Sequence, residues 1–154
     1  KPVYIVDGCR TPFLKARGRP GPFKHADLAI NASRALLARM PFEPDALDEV
    51  IFGSTMPASD EANISRIVAL RLGCGDLVPA YTVHRNCASG MQSIDSAAQN
   101  IASGRSGLVL AGGVESMSRA PFVMPKATSA YSRHAEIHDT TIGTKIIFFQ
   151  PMSN

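Results

Sequence analysis

The sequence predicts an α/β protein built on a mostly parallel sheet with helices on its faces. Three observations carry that expectation. Short apolar runs alternate over residues 3–113 with stretches whose apolar residues recur every three to four positions. Most of these segments stop at a glycine or a proline, the residues that end helices and strands. The chain has 154 residues, of which 45% are hydrophobic and 19% charged, enough for one packed domain and too apolar for disorder.

Val3–Val6 is β-branched or aromatic throughout and ends at Asp7-Gly8, the look of a first strand buried on both faces. Ala29, Ala32, Leu36 and Met40 form one apolar stripe on a helix over 26–40, which Pro41 ends. Val50-Ile51-Phe52 before Gly53 is a second strand. Ile64, Ile67, Val68 and Leu72 mark a helix over 64–72 that stops at Gly73. Tyr81-Thr82-Val83, opened by Pro79, is the third strand. Met91, Ile94, Ala98 and Ile101 mark a third helix, terminated by Gly104, and Leu108–Ala111 is a fourth strand closed by Gly112-Gly113. The order βαβαβαβ implies right-handed crossovers, with sites collecting at the carboxyl ends of the strands. Three places qualify: Asp7–Phe13, His84–Gly90 and Gly112–Pro121.

Composition removes several function classes. A formal charge of +3, 6% aromatic residues and no Trp do not suggest nucleic acid as a partner. No apolar run reaches the ~18 residues of a transmembrane helix. Cys9, Cys74 and Cys87 form an odd, sparse set without a CxxC, which disfavours a disulfide framework and points to a reducing compartment. The histidines His25, His84, His134 and His138 have no clustered partners at metal-ligand spacing, so no metal site is expected. Gly104-Arg105-Ser106-Gly107 joins helix to strand, the wrong order for a phosphate loop. The run 10–24 carries Arg10, Lys15, Arg17, Arg19 and Lys24 with no acidic residue. It reads either as a solvated loop or as a contact for an anionic ligand or acidic partner.

Cys87 is the most informative residue. It follows the third strand and precedes the third helix, so its sulfur lies near a helix N-terminus, where unsatisfied N–H groups and the dipole favour thiolate. Ala88-Ser89-Gly90 leave room for a substrate to approach the backbone, and the Cys87 N–H could face an oxyanion. The competing reading is a buried structural cysteine. His84 is three residues earlier. On an extended strand, positions three apart point to opposite faces, which argues against His84 as the base for Cys87. Cys9, at the end of the first strand, reads as packing, and Cys74 lies in a helix-ending Gly-Cys-Gly turn.

Taken together, Arg10-Thr11-Pro12-Phe13, Asn86-Cys87-Ala88-Ser89-Gly90 and Gly112-Gly113-Val114-Glu115-Ser116-Met117-Ser118 resemble the thiolases, acyl-CoA acyltransferases of fatty-acid degradation and acetoacetyl-CoA synthesis. Asn63–Arg66 is similar to the segment that opens the family's second helix. The matches run in order over about residues 1–141. The resemblance implies a thiolase-like fold of two similar halves, each with a mixed five-stranded sheet between helices. Residues 1–143 would form an incomplete amino-terminal domain, and 144–154 would be an unassigned tail. It assigns Cys87 as the nucleophile that attacks an acyl-CoA thioester, with its N–H as an oxyanion donor. CoA and acyl-CoA are then substrates, no cofactor is permanently bound, cofactor-binding residues stay unassigned, and the complete protein is a homo-oligomeric dimer or tetramer. The lack of a targeting segment suggests the cytoplasm.

The family's other motifs do not occur in these 154 residues: the base histidine of Gly-His-Pro, the second cysteine of Cys-x-Gly, and Asn-Glu-Ala-Phe. The chain alone is therefore expected to be inactive. Two alternatives remain beside a thiolase: a related condensing enzyme such as a ketoacyl synthase, and a catalytically inactive thiolase-like module that binds a partner. Arg10–Phe13 and Glu115–Ser118 favour a thiolase over the synthase.

Overall fold

A computed structural model describes residues 2–16, 19–127, 129 and 136–141. Among them, helices and strands alternate from residue 25 to residue 113: α1 (His25–Leu37), β1 (Glu49–Gly53), α2 (Ile64–Leu72), β2 (Ala80–Val83), α3 (Ser89–Ala102) and β3 (Val109–Gly113). The three strands form one parallel sheet in the order β2-β1-β3. Gly53, at the carboxyl end of β1, is in register with Val83 on one side and Gly113 on the other, so all three strands end together. A separate antiparallel pair joins β4 (Phe122–Val123) to β5 (His138–Asp139). The division at residue 143 and the tail 144–154 lie outside the described residues.

Glycine and polar side chains set the boundaries as the sequence suggests. Asn63 caps α2, its side chain accepting from the Arg66 N–H at 3.2 Å, and Gly73 ends the helix at φ +86°. Asp48 accepts the Gly107 and Leu108 N–H groups at 2.6 and 2.9 Å, tying the entry of β3 to that of β1. Those two amides hold its carboxyl below the ordinary aspartate value.

The crossover from β1 to β2 and the one from β2 past β1 to β3 run in opposite directions across the sheet and share a hand, so α2 and α3 cover opposite faces of it. On the α2 side, Val50, Phe52 and Leu110 pack with Ala26, Ala29 and Ile30 of α1 and with Ile64, Val68 and Leu72 of α2. On the other side α3 comes unusually close. A Cβ on Gly53 would collide with the Ser89 carbonyl, and one on Gly113 would lie 2.9 Å from the Gly90 Cα. Only a small-residue face permits this approach, and the residues α3 buries are Ser89, Ser93 and Ala97. Ser93 donates to the Gly90 and Gly112 carbonyls at 2.7 and 2.6 Å.

Three expectations are corrected. Val3–Val6 is not a strand: it pairs with nothing in the described sheet, and Tyr4, Ile5 and Val6 are 77%, 85% and 74% exposed. β3 is an edge strand whose outer side carries no ladder among the described residues, and the amino-terminal run, tied through Asp7 to Arg39, does not dock on it. Second, the apolar stripe of α3 faces away from the sheet, with Met91 and Ile94 exposed. Periodicity marked the helix but not its buried face, because the close approach selects for size rather than hydrophobicity. Third, the buried face of α1 runs through Ala26, Ala29, Ile30, Ser33 and Leu37, while Ala32, Leu36 and Met40 are only half-buried.

Candidate functional site

Three loops meet at the carboxyl end of the sheet: Ser54–Met56 after β1, His84–Ala88 between β2 and α3, and Val114–Ser116 after β3. The middle one holds Cys87. Helix α3 begins at Ser89, two positions before the first residue of the apolar stripe, so Cys87 stands two residues outside the helix N-terminus. The side chain is exposed.

The corner is built by two overlapping turns. The Ala88 N–H donates to the Arg85 carbonyl and the Ser89 N–H to the Asn86 carbonyl, both at 3.0 Å. The first has Asn86 at its second position with φ +46°, the one left-handed non-glycine among the described residues, and asparagine is among the side chains that tolerate it. The buried Ser89 hydroxyl locks the corner by accepting the Arg85 N–H at 2.8 Å and donating to the Asn86 carbonyl at 2.7 Å. The Thr55 hydroxyl, from the neighbouring loop, donates to the same carbonyl at 2.8 Å. His84 turns its Nδ1 to the Asn86 N–H at 3.4 Å, a contact with the turn backbone.

Behind this corner lies a buried polar cluster that sequence reading missed. Glu115 accepts the Thr55 and Met56 N–H groups at 2.8 and 3.1 Å and the Ser54 hydroxyl at 3.3 Å. His25, 1% exposed, sits between two carboxylates: its Nδ1 is 3.7 Å from Glu61 and its Nε2 is 3.6 Å from Glu115, close without closing a hydrogen bond. Burial pushes the Glu115 carboxyl up. The neighbouring His25 ring and the two loop amides outweigh it and hold the group below the ordinary glutamate value. Glu61 also accepts the Ala26 N–H at 3.4 Å, where a helix N-terminus favours negative charge. The signal available in the sequence was Glu115 itself, a carboxylate two residues after a glycine-closed strand.

The other cysteines separate clearly. Cys74 is buried, and burial raises its thiol above the ordinary value. Cys9 is exposed, contrary to the packing role expected of it, because the strand it would have closed does not form. Of the three strand ends expected to carry a site, the loops 84–90 and 113–116 are brought together through Thr55 and Glu115. Asp7–Phe13 instead borders a separate open cleft of about 970 Å³, together with α1 and residues 110–118; Cys87 does not line it. The basic loop is partly neutralised and partly tied down. Lys24 pairs with Asp60 at 2.8 Å, Arg10 stacks on Phe13 at 5.0 Å, and the Gly21 carbonyl accepts from Arg119 at 2.8 Å. His138 lies 3.6 Å from Glu136, while His134 is outside the described residues. No cluster of three metal-ligating side chains occurs among the described residues.

The family described as the thiolase N-terminal domain matches residues 3–150. This chain belongs to the thiolase family. It is 46% identical over 147 residues to the beta-ketoadipyl-CoA thiolase of Pseudomonas knackmussii, covering 94% of this chain and 37% of that protein. Among solved structures, the acetyl-CoA acetyltransferase of Bacillus anthracis superposes with a TM-score of 0.73 at 40% identity, covering 79% of this chain and 31% of that one. Human mitochondrial 3-ketoacyl-CoA thiolase in complex with CoA gives 0.72 at 33% identity, covering 80% and 32%. The chain thus spans a little over a third of the length of the curated relatives it matches. The resemblance drawn from Arg10–Phe13, Asn86–Gly90 and Gly112–Ser118 is the family relationship, and the mostly parallel sheet flanked by helices is its amino-terminal part.

Proposed function

We propose that the complete protein is an acyl-CoA acyltransferase of the thiolase type, acting through a thioester on Cys87. One observation carries the reading within the family: of the three thiols, Cys87 alone is both exposed and placed at the mouth of a helix at the carboxyl end of the parallel sheet. In the first step the Cys87 thiolate attacks an acyl-CoA carbonyl. The carbonyl oxygen becomes an oxyanion facing the Cys87 N–H, the C–S bond to CoA breaks, and the CoA thiolate takes up a proton. In the second, the acyl group passes from Cys87 to CoA, or to the α-carbon of an acetyl-CoA carbanion, which makes a 3-ketoacyl-CoA. Forming that carbanion needs a base. The histidine and second cysteine that the resemblance calls for have no counterpart in these 154 residues, so proton transfer rests with residues beyond them.

The same reading makes CoA and acyl-CoA transient substrates and places the protein in acyl-CoA and fatty-acid metabolism in a reducing compartment, the cytoplasm. It also makes the complete protein a homo-oligomer, consistent with the exposed apolar face of α3 at Met91 and Ile94. No described helix is long and apolar enough to cross a membrane. The domain boundary at residue 143 belongs to this proposal as well.

The test is acyl trapping. Incubating the complete protein with acetyl-CoA should add one acetyl group to the peptide containing Cys87 and none to those containing Cys9 or Cys74. Cys87→Ala should abolish both the adduct and thiolysis of acetoacetyl-CoA. Turnover that survives Cys87→Ala sinks the assignment. The 154-residue chain alone should show at most slow stoichiometric acylation, because general acid–base help worth about 10²–10⁴-fold is missing.

A further inference from the structure

The Asn86 carbonyl and the Cys87 N–H belong to one peptide unit. That unit is planar and trans, so fixing the direction of the carbonyl fixes the opposite direction of the N–H. Three donors hold the carbonyl: the Ser89 N–H at 3.0 Å, the Ser89 hydroxyl at 2.7 Å and the Thr55 hydroxyl at 2.8 Å. Both Ser89 contacts are internal to the corner. They close it, while Ser89 itself packs on Gly53 of the central strand. Thr55 lies 31 residues away on the loop after β1, so its bond ties the corner to the end of the central strand. Thr55 is itself held through its backbone, since its N–H and that of Met56 end on Glu115, which the buried His25 backs from the other side.

We propose that Thr55, anchored by Glu115, is a positioning residue that aims the peptide unit shared by Asn86 and Cys87, and with it the N–H and sulfur of the nucleophile. This rests on Cys87 being the nucleophile, but the geometry it describes can be read without catalysis. Neither residue touches the reacting atoms. Losing one such hydrogen bond changes an equilibrium by roughly three- to ten-fold, so an effect of that size is expected.

The experiment compares Thr55→Val, which keeps the shape and removes the hydroxyl, with Thr55→Ser, which restores it. In the complete protein, three readouts are taken: the alkylation rate of Cys87 by iodoacetamide, with Cys9 as internal control; the thermal midpoint; and kcat and KM for acetoacetyl-CoA thiolysis. Expected is a roughly three- to ten-fold slower Cys87 alkylation in the valine variant. Cys9 alkylation should stay unchanged, the thermal midpoint should fall by no more than the loss of one hydrogen bond allows, the serine variant should fall within about two-fold of the parent, and any kinetic loss should fall on kcat rather than KM. Glu115→Gln, which presents an amide N–H to a backbone donor, should reproduce the slower Cys87 alkylation, together with a loss of stability near neutrality. Equal or faster Cys87 alkylation in the valine variant overturns the proposal. So does a loss that serine fails to restore. If Cys87 is never acylated while the valine and serine rates still differ, the nucleophile reading falls and the positioning stands.

Discussion

Val3–Val6 and Glu49–Gly53 carry nearly the same local message, a short β-branched run closed by glycine, and they meet opposite fates. The second is buried along its whole length between two parallel neighbours. The first is unpaired and largely exposed, held by the two-pronged contact of Asp7 with Arg39 at 3.0 and 2.8 Å. A strand is a property of a pair. Hydrophobicity and propensity make a run fit for a sheet, but its N–H and C=O groups need a ladder, and only the neighbouring strand supplies one.

The sharpest way to break this comparison is at the glycine that lets β1 carry a helix on its end. Gly53→Val drives a branched side chain into the Ser89 backbone and should cost more than about 4 kcal/mol, the range of severe core disruption. Loss of the cooperative unfolding transition, or of soluble protein, is the outcome to look for. A milder change tests the two runs directly. In the 154-residue chain Ile51→Ala should cost about 2–5 kcal/mol by urea denaturation, and Ile5→Ala should stay within about 0.5 kcal/mol. If Ile5→Ala costs several times more in the complete protein, the amino-terminal run finds its ladder there.

A pH series probes the cluster behind the corner. The Glu115 carboxyl is held below its unfolded value, so it stabilises the fold above the ordinary carboxylate range and loses that contribution as pH falls through its folded value. The stability gap between the parent and Glu115→Gln should therefore be widest near neutrality and close below about pH 4. A gap that widens on acidification would contradict the sign. The smallest effect belongs to the exposed pair: Asp7→Asn should leave the thermal midpoint where it is, since a solvated ion pair contributes little.

Much of the fold was legible because its signals are local. Asn63 and Gly73 bracket α2, Gly104 closes the turn after α3, and Gly53 and Gly113 end strands, each through a preference that acts within a few residues. Cys87 was legible for the same reason, since a cysteine between a strand and a helix lies at a helix mouth whatever surrounds it. Glu115 was visible only as part of a motif. Thr55 and His25 were not visible at all, because their partners are 31 and 90 residues distant and nothing in their neighbourhoods marks them.

From its residues alone this chain is an alternating α/β unit with parallel strands, a thiol at a strand–helix corner and the family motifs of a thiolase. Those follow from periodicity, turn chemistry and motif spacing, which act along the chain. Which apolar face is buried was decided by packing. Helix α3 sets its serine and alanine residues against Gly53 and Gly113 and leaves Met91 and Ile94 outside, because the backbones meet too closely for larger side chains. Whether an apolar run becomes a strand was decided by whether the chain lays it along the edge of another strand. The corner that carries Cys87 was set by the convergence of three loops on one carbonyl and one half-buried carboxylate, an arrangement that exists only once the sheet has brought the strand ends into register.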